Sequence, residues 1–340
     1  MQENQKKDFL QARCFTVGED PFCAWYANGT DNALLRGMDT SYFQYLAKTH
    51  EQNLDGENSQ KAAVALRTAY YHGLETFFML VFAALQSPHC IVGWLSKCES
   101  KQLRQFVSGV SAGELPPTWK WKLDKNSWGG ISSLIHRRLF AGRDDSVSLQ
   151  ESFAKLWEKL ASDFTAQHMV LEYNNFKHGF RANVGSGPTL SFSNPSPAGE
   201  VSIQNPHLVL ASEYGSWFNV AKELSGKKGS HLNHHFKLEH YHVNLDPKMM
   251  AARLSMISMS IHNIVAFLRF VNNFPDAEIK YMLPEKMEAF QICLKKPEKL
   301  GIEFVAMGPD VPVEKIALTK QQILEQLNKI TPIAIPEFES

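Results

Sequence analysis

The sequence predicts a mainly α protein: a multi-helix bundle with a small β-ribbon insertion and a short C-terminal α/β portion. Three observations carry this. Ser59 to about Gln86 is an almost wholly apolar helical pattern without proline, and Asp246-Pro247 opens a second that reaches Phe274. A third pattern, capped by Asp144, Asp145 or Ser146, meets no Gly or Pro until Gly179. From 181 to 212 the helical period gives way to short alternating pieces divided by Gly, Pro, Ser and Asn.

Taken in order, residues 1–30 hold Gly, Pro and scattered aromatics and read as irregular, with Trp25 and Tyr26 available to pack on the body. A helical block occupies 31–180. In it, Asp39 to about Asn53 and Ser59 to Gln86 form two helices across the Asp55-Gly56 turn, and Pro88 ends the second. Weaker helices lie near 89–110 and 129–140, around a Pro- and Trp-rich loop. An insertion at 181–245 contains the strand pieces Arg181–Val184, Thr189–Phe192 and Val201–Ile203. It continues through a short helix near 213–224, a Gly- and Lys-rich loop, and a strand from Lys237 to Val243. The helix at 246–274 rejoins the bundle, with Pro247 at its first turn and Pro275 beyond its end. Residues 275–340 mix short helices with strands at Ile302–Met307 and Val313–Leu318.

Composition narrows the function classes. At 340 residues the chain buries a substantial core, as about two domains or one domain with insertions. Lys and Arg number 35 against 35 Asp and Glu, so polyanion binding requires a local basic patch. The first residues lack an apolar signal core. The longest apolar run, Phe77–Leu85, falls short of the ~20 residues that span a bilayer, so no membrane association is expected. Five cysteines, Cys14, Cys23, Cys90, Cys98 and Cys293, form no Cys-x-x-Cys pair. They point to buried thiols in a reducing compartment, and a cytoplasmic location is the expectation. No P-loop is present, and Gly185-Ser-Gly187-Pro lacks the third glycine of a dinucleotide fingerprint, so no cofactor is expected.

Helical geometry places Phe153, Trp157, Leu160, Phe164, His168, Leu171, Asn175 and His178 on one stripe, at spacings of three and four. The stripe begins aromatic and ends in amide and imidazole; Asn174, Lys177 and Arg181 flank its last turns. Polar groups facing a core cost several kcal/mol, on the order of 2–7, unless paired. The helix at 59–86 supplies partners: Thr68, His72 and Glu75 share one face, and Arg67, Tyr71 and Glu75 form an adjoining ridge. Glu75 and His72 are therefore expected to meet Lys177, His178 or Arg181 across the bundle. The plain alternative is a buried ion network that fixes helix register.

The run Tyr173-Asn174-Asn-Phe-Lys177-His178-Gly-Phe-Arg181, late in a helix and preceded by a central Glu-bearing helix, resembles the signature region of the HEPN superfamily. The likeness covers the helical block only. It implies an often dimeric helical bundle and, in many members, metal-independent ribonuclease activity in prokaryotic defence and toxin–antitoxin systems. His178 matches the motif histidine and Asn174 its polar position. Tyr173 stands where the family has Arg, which leaves Arg181 or Lys177 to supply the charge, or a site that binds without cleaving. On this resemblance RNA is the implied partner. His178 is the general acid or base, Lys177 and Arg181 hold the phosphate, Asn174 orients the imidazole or binds a phosphate oxygen, and Glu75, with His72 beside it, positions the cations.

Other clusters compete. His231, His234, His235, His240 and His242 are five of the chain's 13 histidines, and His240 and His242 share one side of a strand, a chelate that lacks a third ligand. A solvated, Lys-rich loop followed by an amphipathic edge strand is the preferred account of them, and a His-ligated metalloprotein the lesser alternative. Ser255, Ser258, His262 and Arg269 lie along one stripe of the last long helix and read as a small-residue packing seam; the methionines there read as core filler. Trp119-Lys-Trp121-Lys and Trp128 interleave rings and cations, either for base stacking or as anchors for the loop. Two classes of function follow: an RNA-directed protein, or a non-enzymatic interaction protein whose polar stripe is structural.

Overall fold

In the computed structural model the described residues are 13–25, 29–116, 118–119, 121–178, 181–184, 190–191, 207–208, 214–223, 235–295, 304–314, 321–322 and 325. The chain is mainly α with small antiparallel β parts. It divides into two units, Met1–Phe218 with His242–Val305, and Asn219–Tyr241 with Ala306–Ser340.

In the first unit the hairpin β1 (Arg13–Val17) and β2 (Asp20–Ala24) precedes α1 (Thr30–Gly37), α2 (Tyr42–Glu51) and α3 (Ser59–Gln86). Next come α4 (Ile91–Lys97), α5 (Ser100–Ser111), α6 (Trp128–Ile135), α7 (Arg137–Phe140), α8 (Ser146–Thr165) and α9 (Gln167–Lys177). β3 (Ala182–Val184) leads out of α9, and after short β4 (Leu190–Ser191) and β5 (His207–Leu208) the strands β6 (Gly215–Glu223) and β7 (His235–Asn244) follow. The remaining elements are α10 (Pro247–Val271), α11 (Glu288–Leu294) and β8 (Phe304–Glu314). In the second unit the outer part of β7 lies between β6 and β8.

The central rod is α3. Its apolar residues face neighbours on nearly every side, and Phe77, Phe78, Phe82 and Leu85 have no exposed surface. Each such side chain contributes about 1.5–3 kcal/mol through removal from water. α10 packs along α3 and α2. Gly73 permits that approach, because a Cβ there would stand 3.0 Å from Leu254 and 3.3 Å from Ile257 of α10. Asp246 caps α10 by accepting from the Met249 amide at 3.0 Å, as its sequence context predicts. α10 also has the length and hydropathy of a membrane-crossing helix, and 72% of that window is buried inside the protein.

Aromatic rings knit α3 to α6 and α8. Phe77 meets Trp157 edge-on at 5.0 Å, and Phe78 meets Trp128 at 5.1 Å and Phe164 at 5.0 Å. The Trp157 indole donates to Ser260 Oγ of α10 at 3.3 Å. The tryptophan loop is pinned to this body: Trp121 donates to the Ala84 carbonyl at 3.0 Å and Trp128 to Ser111 Oγ at 2.9 Å. Their ring edges are occupied by these bonds. The seam on α10 likewise holds neighbouring backbone, with Ser258 donating to Thr40 O at 2.6 Å and Arg269 to Leu35 O at 2.7 Å.

Several elements depart from the sequence expectation. The segment expected to be irregular contains the β1–β2 hairpin, with Phe15 and Val17 buried and Gly18 turning at φ 62°. The helix expected near 213–224 is strand β6, where Ser216 and Phe218 are buried while Trp217 and Asn219 are not, a period of two. A single strand β8, Phe304–Glu314, runs through the interval between the two expected C-terminal strand pieces, and residues 302–303 and 315–318 of those pieces lie outside the described residues. The piece Val201–Ile203 lies outside the described residues.

His136, the C-cap of α6, is fully buried with its ring 3.9 Å from that of Phe153. Its Nδ1–H donates to the Ser132 carbonyl at 2.9 Å, and burial pushes its pKa down from 6.5 to about 3. The folded protein thus refuses a proton that the unfolded chain accepts, so stability present above pH 6.5 falls as the pH drops toward 3. The loss approaches about 1.4 kcal/mol per pH unit. Urea denaturation of the parent and of His136→Phe between pH 6.5 and 4 is expected to show a shallower pH slope in the variant.

Candidate functional site

The helix expected to run unbroken to Gly179 breaks at Ala166, where ψ is 121°, and α9 starts afresh one residue later. The break rotates the buried stripe. Phe153, Trp157, Leu160 and Phe164 are fully buried as expected, but beyond Ala166 the inward positions are Met169, Glu172 and Phe176. His168, Leu171 and Asn175 are only half-buried, and His178 is exposed. Neither Pro nor Gly marks the corner. Thr165 Oγ1 returns to the Ala161 carbonyl at 2.9 Å, and the Ala166 amide bonds Asp163 O at 3.2 Å, tightening the last turn of α8.

Glu172 is thereby carried inside against α3, where its Oε2 accepts from Arg67 Nε at 2.6 Å; each residue is 3% exposed. Ser216 Oγ of β6 donates to the other carboxylate oxygen. A second buried carboxylate, Asp163, accepts from the Tyr70 hydroxyl at 2.6 Å, Lys159 Nζ at 2.7 Å and Arg253 Nη1 at 3.2 Å. Arg253 Nε continues to the Cys293 carbonyl at 3.0 Å. Burial, followed by the Asp163 charge, holds the Tyr70 phenol well above its ordinary range. Arg67 and Tyr70, neighbours on one face of α3, so link α8, α9, α10 and β6 through ions. The space bounded by Arg67, Tyr71, Glu172, Tyr173 and Phe176 does not admit a water molecule. These groups hold elements together and leave no room for a substrate.

The sequence-derived residues occupy the outer edge of the same junction. Tyr173 stacks on Tyr71 with ring centroids 4.3 Å apart, and Lys177 Nζ lies 5.6 Å above the Tyr173 ring. Asn174, Lys177, His178 and Arg181 are exposed. The turn after α9 is held by the Arg181 amide on the Asn175 carbonyl at 2.8 Å, while Asn175 Nδ2 donates to Leu171 O at 2.8 Å. Glu75 accepts from Ser100 Oγ of α5, and the exposed His72 meets Phe43 of α2 edge-on at 5.3 Å. Among the described residues, neither Glu75 nor His72 hydrogen-bonds or ion-pairs with Lys177, His178 or Arg181. The ridge meets α9 through Arg67, which pairs with Glu172, and Tyr71, which stacks on Tyr173. Burial pushes both phenols up to about 12, with the Glu75 charge adding to each and the Arg104 charge opposing at Tyr71.

Beside this edge, α5 and the α8–α9 corner enclose an open groove of about 670 Å³. Lys101 and Arg104 line one wall, and Gln167 and Leu171 the other. Sequence reasoning had not joined α5 to α9. Glu172, Asp163 and Arg253 were missed as well; the spacing of Met169, Glu172 and Phe176 carries the signal once a break before them is allowed.

Of the histidine cluster, His242 lies on β7 and is half-buried, while His231, His234 and the side chains of His235 and His240 lie outside the described residues. Among the described residues no group of three metal-ligating side chains forms. His262 is structural: its Nε2–H donates to Lys280 O at 2.8 Å, so its Nδ1 accepts from the Thr40 hydroxyl at 2.8 Å. Comparison with family models, curated proteins and solved structures finds no match to this chain.

Removing one member of the Arg67–Glu172 pair leaves a buried charge without its counter-ion. Glu172→Ala is expected to lose about 3–5 kcal/mol in urea denaturation. The double variant Arg67→Met with Glu172→Leu is expected to regain most of that loss. Equal losses in the single and double variants would show that packing, not charge, sets the cost.

Proposed function

We propose that this chain is an RNA-directed helical protein whose binding surface is the outer edge of α9 with the adjoining α5 groove. One observation carries the reading: cations from two helices flank a stacked tyrosine pair of which Tyr71 is buried and Tyr173 half-buried at the surface edge. Lys177 lies over Tyr173, Tyr173 stacks on Tyr71, Arg104 stands beside Tyr71, and Lys101 follows Arg104 along the groove. Cations that track a phosphate backbone beside an accessible groove are the ordinary means of binding single strands. The zero net charge of the whole chain makes such a local patch the feature to test.

The resemblance to HEPN proteins adds His178 as the acid–base group. Its exposure supports a reactive role, since a general base must reach the ribose hydroxyl. A phosphate held by Lys177 and Arg181 beside it would receive transition-state stabilisation from both charges. A second reading, a non-enzymatic interaction protein, draws support from the closed ion network, which uses the core-facing polar groups entirely for structure.

Fluorescence anisotropy with single-stranded RNA across a salt series separates these readings. The double variant Lys177→Glu, Arg181→Glu is expected to bind at least about tenfold more weakly. Its log–log salt slope is expected to flatten by about 1.4, roughly 0.7 for each phosphate that is no longer neutralised on a single strand. Unchanged affinity and slope would sink the surface assignment. In EDTA, the parent chain is expected to cleave mixed RNA and His178→Ala to leave it intact. Binding without cleavage by the parent would restrict the surface to recognition.

A further inference from the structure

The β1–β2 hairpin carries a feature that RNA recognition does not use. Cys14 and Cys23 are direct cross-strand partners, and their Sγ atoms stand 3.1 Å apart. Opposed residues of an antiparallel pair have Cα atoms about 4.5–5.5 Å apart, inside the ~4.4–6.8 Å window of a disulfide, so bridging needs no backbone rearrangement. Their register is fixed independently. At the next position Phe15 stacks on Phe22 at 5.5 Å, Phe15 and Val17 enter the core, and Arg13 pairs with buried Asp31 at 2.6 Å.

Access favours Cys14, and proximity to it singles out Cys23 from Cys98, which is equally half-buried. Cys14 is exposed and Cys23 half-exposed, whereas Cys90 and Cys293 are buried. Burial pushes the Cys98 and Cys293 thiols up to about 12, which suppresses their thiolates, whereas the Cys23 thiol is raised first by its hydrogen bond with Cys14, a contact that ends once Cys14 is in a mixed disulfide. Cys14 also borders a cleft of about 760 Å³ shared with Asp31, His89, Trp121 and Asn272. A covalent link between the strands would fix one wall of that cleft.

We propose that Cys14 and Cys23 are a reversible dithiol–disulfide site, oxidised by exchange with a low-molecular-weight disulfide, that clasps the hairpin. Cys14, the more exposed, attacks first: its thiolate forms a bond to one sulfur of the small disulfide, whose S–S bond breaks and releases one small thiol. The Cys23 thiolate then attacks Cys14 Sγ in the mixed disulfide and releases the second small thiol. The two cysteine protons end on the two released thiols, so the protein loses two electrons and the small disulfide gains them.

The test uses the full chain, reduced, freed of reductant and exposed to oxidised glutathione before acid quenching, unfolding and alkylation. Of five cysteines, three are expected to remain alkylatable. Mapping is expected to find a Cys14–Cys23 bridge without retained glutathione, reversed by dithiothreitol. Cys14→Ser is expected to retain one glutathione on Cys23 and form no bridge. Hydrogen exchange of the hairpin amides is expected to slow about tenfold on oxidation. Five free thiols, a bridge to any other cysteine, or stable separate adducts on both residues would overturn the site. Unchanged exchange rates would overturn the clasp.

Discussion

Two carboxylates inside the bundle, Glu172 and Asp163, set the arrangement of much else. Each is held by an arginine from a different long helix, Arg67 of α3 and Arg253 of α10. Apolar packing alone tolerates small rotations and slides, because one methyl neighbour replaces another at little cost. A buried ion does not, since displacement strands a charge in a medium that solvates it poorly. Arg67 and Tyr70 lie one turn apart on α3, so both carboxylates are referred to the same rod. The phase of α8, the restart at α9 and the seating of β6 follow from that shared reference.

The same constraint divides the polar residues of α9 by task. Facing inward, Glu172 is saturated by Arg67 and Ser216 in a space that admits no water. Facing outward, Lys177, His178 and Arg181 have solvent on their side and a groove nearby. Of the two sets, the outward one is exposed to solvent. The stacked Tyr71 and Tyr173 form the boundary between the two regions.

Much of the architecture was legible in the sequence. α3 and the start of α10 were bounded nearly to the residue, because Pro88 and Asp246-Pro247 mark chain geometry that no tertiary packing overrides, whereas α10 ends at Val271, short of the expected Phe274. The break at Ala166 was not legible, since neither Gly nor Pro stands beside it and Thr165 disfavours a helix only slightly. Without it the stripe ran on into His168, Asn175 and His178, and the buried role went to the wrong side of the helix. The β6 error has a different cause: Gly215–Glu223 alternates only once the partners of Ser216 and Phe218 are known. The partnership of α3 with α9 was read correctly, but through Glu75 and His72 rather than through Arg67 and Tyr71.

One helix bears on how the chain reaches this state. α10 is apolar enough to enter a lipid phase, yet its cover is supplied by α2 and α3, far upstream. During synthesis those two helices leave the ribosome well before it does. This apolar helix therefore emerges opposite a waiting groove, and the interval in which it can aggregate or insert elsewhere is short.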